Sequence, residues 1–219
     1  MAPIIDVNEK DFERAKQILT LSGVKYSPIE KERIADLQAD APKGFIYVPT
    51  IKMYVSRERV GFNENFENQQ RIAREEGGRM ITIPEFKEVL KYARVDDQKL
   101  YNEITEIRSP WRAERLDALF DENEGELDII THNGRNRLNK LVLRENQLPG
   151  ISMDSWLGEN TKQGLPSKKV EKGNLFYSAP RDGAVASFDA FDVRSGLDCY
   201  WLPSGRDSDL GVRVVKQPQ

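Results

Sequence analysis

From Asn174 to Val215 the chain contains no lysine, glutamate or glutamine, although those residues crowd everything before it. All three are good helix formers, so their loss over so long a stretch marks a non-helical region. Serine, aspartate, glycine, arginine and aromatics take their place. Rigid aromatics supply contact area and small polar residues supply adaptable hydrogen bonds, which is the composition of a binding surface. The stretch closes on Leu210-Gly211-Val212-Arg213-Val214-Val215, which reads as a buried strand. The residues before Gly173 read as a scaffold for it.

The chain has 219 residues, 38% hydrophobic and 32% charged, which suits a soluble globular protein and not a disordered one. The formal net charge of -3, with both signs mixed, gives no basic footprint for nucleic acid. No apolar run approaches the ~18 residues of a membrane span. The N-terminus turns charged too early for a secretory signal. One cysteine, Cys199, leaves no intrachain disulfide and no multi-cysteine metal site, and one histidine, His132, leaves no multi-histidine site. No cofactor or metal is therefore expected. Cys199 reads as a small buried hydrophobe, since no base is in view to activate it.

In chain order, Asp6 to Gly23 reads as an amphipathic helix, with Asp6 and Glu9 at capping spacing and Gly23 at its end. Residues 26–43 read as a polar connector with one helical turn around Ile34 and Leu37. Phe45 to Val55 reads as a strand with Pro49 at an edge or bulge. It is expected to pair near Leu210–Val215. Asn63 to Glu76 reads as a helix burying Phe66, Ile72 and Ala73. Asp96 to Phe120 reads as helical in two pieces, broken at Ser109-Pro110. Leu127–Thr131 and Leu138–Leu143 read as strands around His132-Asn133-Gly134, a good turn sequence. His132 reads as an exposed turn residue without a titratable partner. Residues 145–172 exceed the usual ~12–15-residue loop and read as an insert, with Trp156 as its anchor. The division is an N-terminal helical extension over 1–40 and one domain over 41–219.

The segment Gly77-Gly78-Arg79-Met80-Ile81-Thr82-Ile83-Pro84-Glu85-Phe86 carries more. Thr82 and Glu85 have capping-box spacing, Pro84 is tolerated in a first turn, and Ile83, Phe86, Val89, Leu90 and Ala93 line one helix face. The segment resembles the Gly-Gly-Arg-Leu-Pro-Thr-Glu-x-Glu-Trp signature of formylglycine-generating-enzyme-like domains, through Gly77, Gly78, Arg79, Thr82 and Glu85. Met80 replaces Leu, Phe86 replaces Trp, and Ile81 stands where Pro is usual. The resemblance implies an α+β domain with a C-type lectin fold.

Between Phe188 and Leu210 two sets of residues alternate. Phe188, Ala190, Leu197, Cys199 and Pro203 are apolar or small and are expected to face inward. Asp189, Phe191, Arg194, Gly196, Asp198, Tyr200, Leu202, Gly205, Asp207 and Asp209 fall between them and are expected to share an outward, ligand-binding face. The outward set has no chemical theme, whereas a catalytic site needs particular groups in particular roles. Trp201 suits either side. From Ala184 to Lys216 the pattern resembles the variable proteins of diversity-generating retroelements, on Ala184-Val185-Ala186, Phe188, Ala190, Leu197, Cys199, Pro203 and Leu210-Gly211-Val212-Arg213. The variable region would span about 174–213. Ser187 and Trp201 depart from the pattern where arginine is expected, and Val193 where a polar framework residue is. Those proteins vary residues encoded by adenine-rich asparagine codons, from which Lys, Glu and Gln are not readily reached.

The resemblance implies a non-enzymatic display protein whose outward face binds a macromolecular ligand, a protein, over the ~800 Å² per partner such interfaces need; the sequence leaves the oligomeric state open and is compatible with a monomer. The alternative is a formylglycine-generating-type enzyme, whose copper chemistry uses paired cysteines and whose iron-dependent relatives use clustered histidines. This chain has neither set. A calcium-dependent lectin is the third reading, and its Glu-Pro-Asn, Gln-Pro-Asp and Trp-Asn-Asp runs are absent.

Overall fold

Ser27-Pro28-Ile29-Glu30 is itself a helix start. The Ser27 hydroxyl accepts from the Glu30 amide at 3.3 Å, and the Glu30 carboxylate accepts from the Ser27 amide at 2.7 Å. With Pro28 in the first turn, the chain runs on as α1, Pro28–Ala39. The expected connector is thus a helix of 12 residues, one that buries none of its side chains. It is tied down by Gln38, whose amide donates to the Tyr47 carbonyl at 2.6 Å and to the Tyr92 hydroxyl at 3.1 Å. The computed structural model describes residues 27–159, 161–170 and 172–218. The helix expected over Asp6–Gly23 lies outside them.

Phe45–Val55 divides into a hairpin, β1 (Phe45–Val48) and β2 (Met53–Ser56), with Tyr47 opposite Tyr54. Pro49 cannot donate to a ladder, and the chain turns there. The expected partner arrives from the other end of the chain: β12, Val214–Lys216, places Val215 opposite Val55. A two-residue strand, β3 (Arg79–Met80), completes the sheet in the order β1-β2-β12-β3. Between β2 and β3 lies α2, Phe66–Glu75, capped by Asn65. It buries Phe66, Gln69 and Ala73, while Ile72 stays half-buried.

The glycines after α2 have a steric reason. A Cβ on Gly78 would stand 2.4 Å from the Val215 carbonyl oxygen, so β12 can approach only a bare backbone. Arg79 then grips Glu85 through two hydrogen bonds, at 2.9 and 2.6 Å, while Glu85 closes the capping box with Thr82. Helix α3, Ile83–Asp96, buries Ile83, Phe86, Val89, Leu90 and Ala93 as expected, and α4 (Gln98–Thr105) follows.

Arg112 to Asn123 overturns the expected second helical piece. It is β4, the longest strand, buried without a break from Arg112 to Ala118. Arg-Ala-Glu-Arg-Leu-Asp-Ala favours helix locally, but β4 lies between two neighbouring strands, and tertiary pairing overrides propensity. The other members of the large sheet are β5 (Glu126–Thr131), β6 (Gly134–Arg137), β7 (Gln147–Ile151), β8 (Leu175–Ser178), β9 (Val185–Ala190) and β10 (Ser195–Trp201). Their order is β6-β5-β4-β9-β10-β8-β7, and β11 (Leu210–Val212) runs parallel beside β4. The tight turn at His132-Asn133 starts β6 at Gly134. The expected strand over Leu138–Leu143 is therefore a loop, anchored by buried Leu138 and Val142.

The two extremes of architecture, α and β, segregate into an α+β domain with its main core between α3 and the large sheet. Phe86 meets Phe188 at 5.3 Å between ring centres, and Phe188 stacks on Trp156 at 5.9 Å. Trp156 belongs to α5, Met153–Gly158, and its ring NH donates to the Gly164 carbonyl at 2.7 Å. The insert over 145–172 thus carries β7 and α5, with Trp156 anchoring it.

Candidate functional site

Strands β9 and β10 present two faces. Phe188, Leu197 and Cys199 enter the main core, as their alternation predicts, together with Ala186. On the other face Asp189, Gly196 and Phe176 lie abreast across β9, β10 and β8, and Ser187, Asp198 and Ser178 form the next row. Beyond Asp198 the ladder with β9 shifts register, and Trp201 falls opposite Val185.

The expected exposure fails for part of this set. Asp189 and Asp198 are 0% and 1% exposed, and Gly196 is buried. Long side chains cover them. Trp111 lies between Phe191 and Trp201 in a nearly parallel stack, at 4.8 and 5.8 Å between ring centres. All three rings are half-buried. Sequence reasoning missed Trp111, which immediately precedes β4 in the segment read as helix. Tyr200 remains exposed, with the Arg181 guanidinium 5.5 Å from its ring centre.

The two covered acids are not equivalent. Asp198 accepts a hydrogen bond from the Ser178 hydroxyl at 2.5 Å. Asp189 accepts from Ser187 at 2.8 Å through Oδ1, and Asp198 and Trp201 lie against the same carboxyl. Burial, then the adjacent Asp198, push the Asp189 carboxyl well above the usual range. The native protein then holds a proton that the unfolded chain has released. The stabilisation from that proton is complete below the unfolded value of ~3.9 and is lost as pH rises toward the folded value. Asp189→Asn imitates the protonated acid without that loss. It is expected to melt above the parent at neutral pH, with the gain shrinking toward zero as pH falls below ~4, read from melting curves across pH.

Arg194, on the β9–β10 turn, fills the open end of the face. Its guanidinium lies over the rings of Phe176 and Phe191, at 4.8 and 5.2 Å, with Asp198 at 3.9 Å.

Leu202, Gly205, Asp207 and Asp209 belong to the loop after β10. Leu202 is 66% exposed, and the other three are half-buried. The loop's backbone is held from below. Arg115, fully buried in β4, donates to the carbonyls of Gly205 at 2.7 Å and Leu202 at 3.4 Å, and also to the Gln69 side chain and the Glu64 carbonyl. The Asn63 amide donates to the Asp207 carbonyl, the Phe66 amide to Pro203, and Arg59 to Asp209. Arg115 was also hidden in the supposed helix.

His132 is exposed at its turn, but it has a titratable partner after all. Its Nδ1 and its backbone amide both lie 2.8 Å from Asp117 Oδ2. Asp117 is buried in β4, and its other oxygen accepts from Gln70. This pair sits at the β5–β6 hairpin and involves none of the expected face residues. Cys199 is buried, as expected, and burial pushes its thiol well up. A cleft of about 370 Å³ lined by Thr82, Pro84, Thr131, Asn136, Arg137 and Gln163 also excludes the face.

No protein-family model and no curated protein matches the chain. Among the described residues, no helix is long and apolar enough to cross a membrane.

Proposed function

We propose that the protein is a non-enzymatic binding protein of C-type lectin type. It presents the β8–β10 face and the loop over 202–209 to a macromolecular ligand, a protein. The observation that carries the reading is the contrast within that loop. Its carbonyls are gripped by buried Arg115, while Leu202 and Arg206 project into solvent. A fixed backbone with unconstrained side chains is what a diversified surface requires. Affinity would concentrate in Tyr200 and the stack of Phe191, Trp111 and Trp201, since aromatics dominate interface hot spots. Catalysis is the weaker reading, because the paired acids lie beneath other side chains where no substrate atom reaches them. The reading needs no cofactor.

Two measurements test it. The first is DNA sequence around the coding region. The expected result is a near-copy of the segment encoding residues 174–213, with adenines at the codons of Phe191, Arg194, Tyr200, Leu202, Gly205, Asp207 and Asp209, beside a reverse transcriptase gene. A locus with neither overturns the diversification. The second is stability. Changing Tyr200, Leu202 and Arg206 together to serine is expected to leave the unfolding free energy within ~0.5 kcal/mol per site of the parent, because the three side chains are exposed. A large loss would make the stretch ordinary core.

A further inference from the structure

Arg194 occupies a place built for a cation. Two aromatic faces, Phe176 and Phe191, lie against its guanidinium. Such faces attract cations through their ring quadrupoles, and a planar guanidinium stacks on them better than an ammonium does. Gly196 forms the floor: a Cβ there would stand 3.5 Å from Arg194 Nη1, so a longer side chain would take the guanidinium's place. Asp198 supplies the charge.

The fit of Arg194 is nevertheless incomplete. Its nearest approach to Asp198 is 3.9 Å, well beyond the ~2.7–2.9 Å of a charge-assisted hydrogen bond. Arg194 hangs from a short turn with its side chain 21% exposed, so it can leave without unpairing a strand.

We propose that Phe176, Phe191 and Asp198 form a receptor for a guanidinium group, held by Arg194 in the free protein and taken over by an arginine of the protein ligand. This deepens the binding-face reading and rests on it for the identity of the partner. The receptor's chemistry can be tested without one.

The test is Arg194→Ala titrated with methylguanidinium chloride, against sodium chloride at equal ionic strength, followed by melting temperature and tryptophan fluorescence. The expected result is a fluorescence change that saturates and a melting temperature that keeps climbing with the logarithm of concentration, by about 3–5 °C once methylguanidinium exceeds its dissociation constant about tenfold. Methylammonium should give a smaller rise, and the parent, with Arg194 in place, none. Adding Asp198→Asn to Arg194→Ala should abolish the response. If Arg194→Ala is partly unfolded, the same titration reads as regained folded fraction. A response no different from that to sodium chloride, or one surviving Asp198→Asn, overturns the receptor. A flat titration leaves the binding face standing, because that reading is tested by the locus and by Tyr200, Leu202 and Arg206. A neutral locus likewise leaves the titration free to succeed.

Discussion

Phe188→Ala is expected to lower the unfolding free energy by ~3–5 kcal/mol, read as a shift in denaturant midpoint at constant slope. The ring is fully buried and lies between Phe86 of α3 and Trp156 of α5. Truncation removes its transfer free energy and leaves a cavity flanked by two large rings, which are held by their own helices and cannot close on it. The damage should extend to the insert, because Trp156 anchors residues 145–172 and would lose its stacking partner. A cost below ~1 kcal/mol would place Phe188 outside the core, and the two-faced reading of β9 would fall with it.

Glu114→Ala is expected to cost a similar ~3–5 kcal/mol, for an electrostatic reason. Glu114 is fully buried and bridges Arg112 at 3.2 Å and Arg213 at 3.1 Å. Glu103 contacts the same two arginines, at 3.1 and 3.0 Å. Burial would raise the Glu103 carboxyl, but Arg112 and Arg213 hold it below its ordinary value. Arg213 also donates to the carbonyls of Ser56 and Arg57, at 2.7 and 2.5 Å, so the network joins the C-terminal strands to β2, β4 and α4. Removing Glu114 leaves two buried guanidiniums sharing one carboxylate. Thermal melting should show the loss, and added salt should restore little of it, since buried charges are poorly screened. A loss that salt largely recovers would mean the network is wet.

Much of the scaffold was legible because its signals are local. The capping box of Thr82 and Glu85, the apolar face of α3, the helix read over Asn63 to Glu76 and found over Phe66–Glu75, and the Asn133-Gly134 turn all lie within a few residues of what they specify. The pairing of Val55 with Val215 was readable from the two strongest β-branched runs, although β1 and β2 fold as a hairpin. The helix over Pro28–Ala39 was readable too: Ser27 and Glu30 have the same spacing as Thr82 and Glu85, and that signal was passed over.

The strand over Arg112–Asn123 was not legible. Its charged residues suggest a solvated helix until Glu103, from the preceding helix, and Arg213, from the other end of the chain, supply partners. The pairing of His132 with Asp117 has the same origin.

On the candidate face the sequence determined which residues stand together. Alternation along an extended chain fixes that before any tertiary contact forms, and Phe188 and Leu197 do point away from Asp189 and Asp198. Whether the face is wet was decided only by the tertiary structure. Trp111 enters from before β4, Trp201 packs against it, and Arg194 reaches between Phe176 and Phe191. Periodicity assigns a side chain to a side of the sheet, but exposure depends on what other segments lay across it, and those segments are brought there by burial over long range.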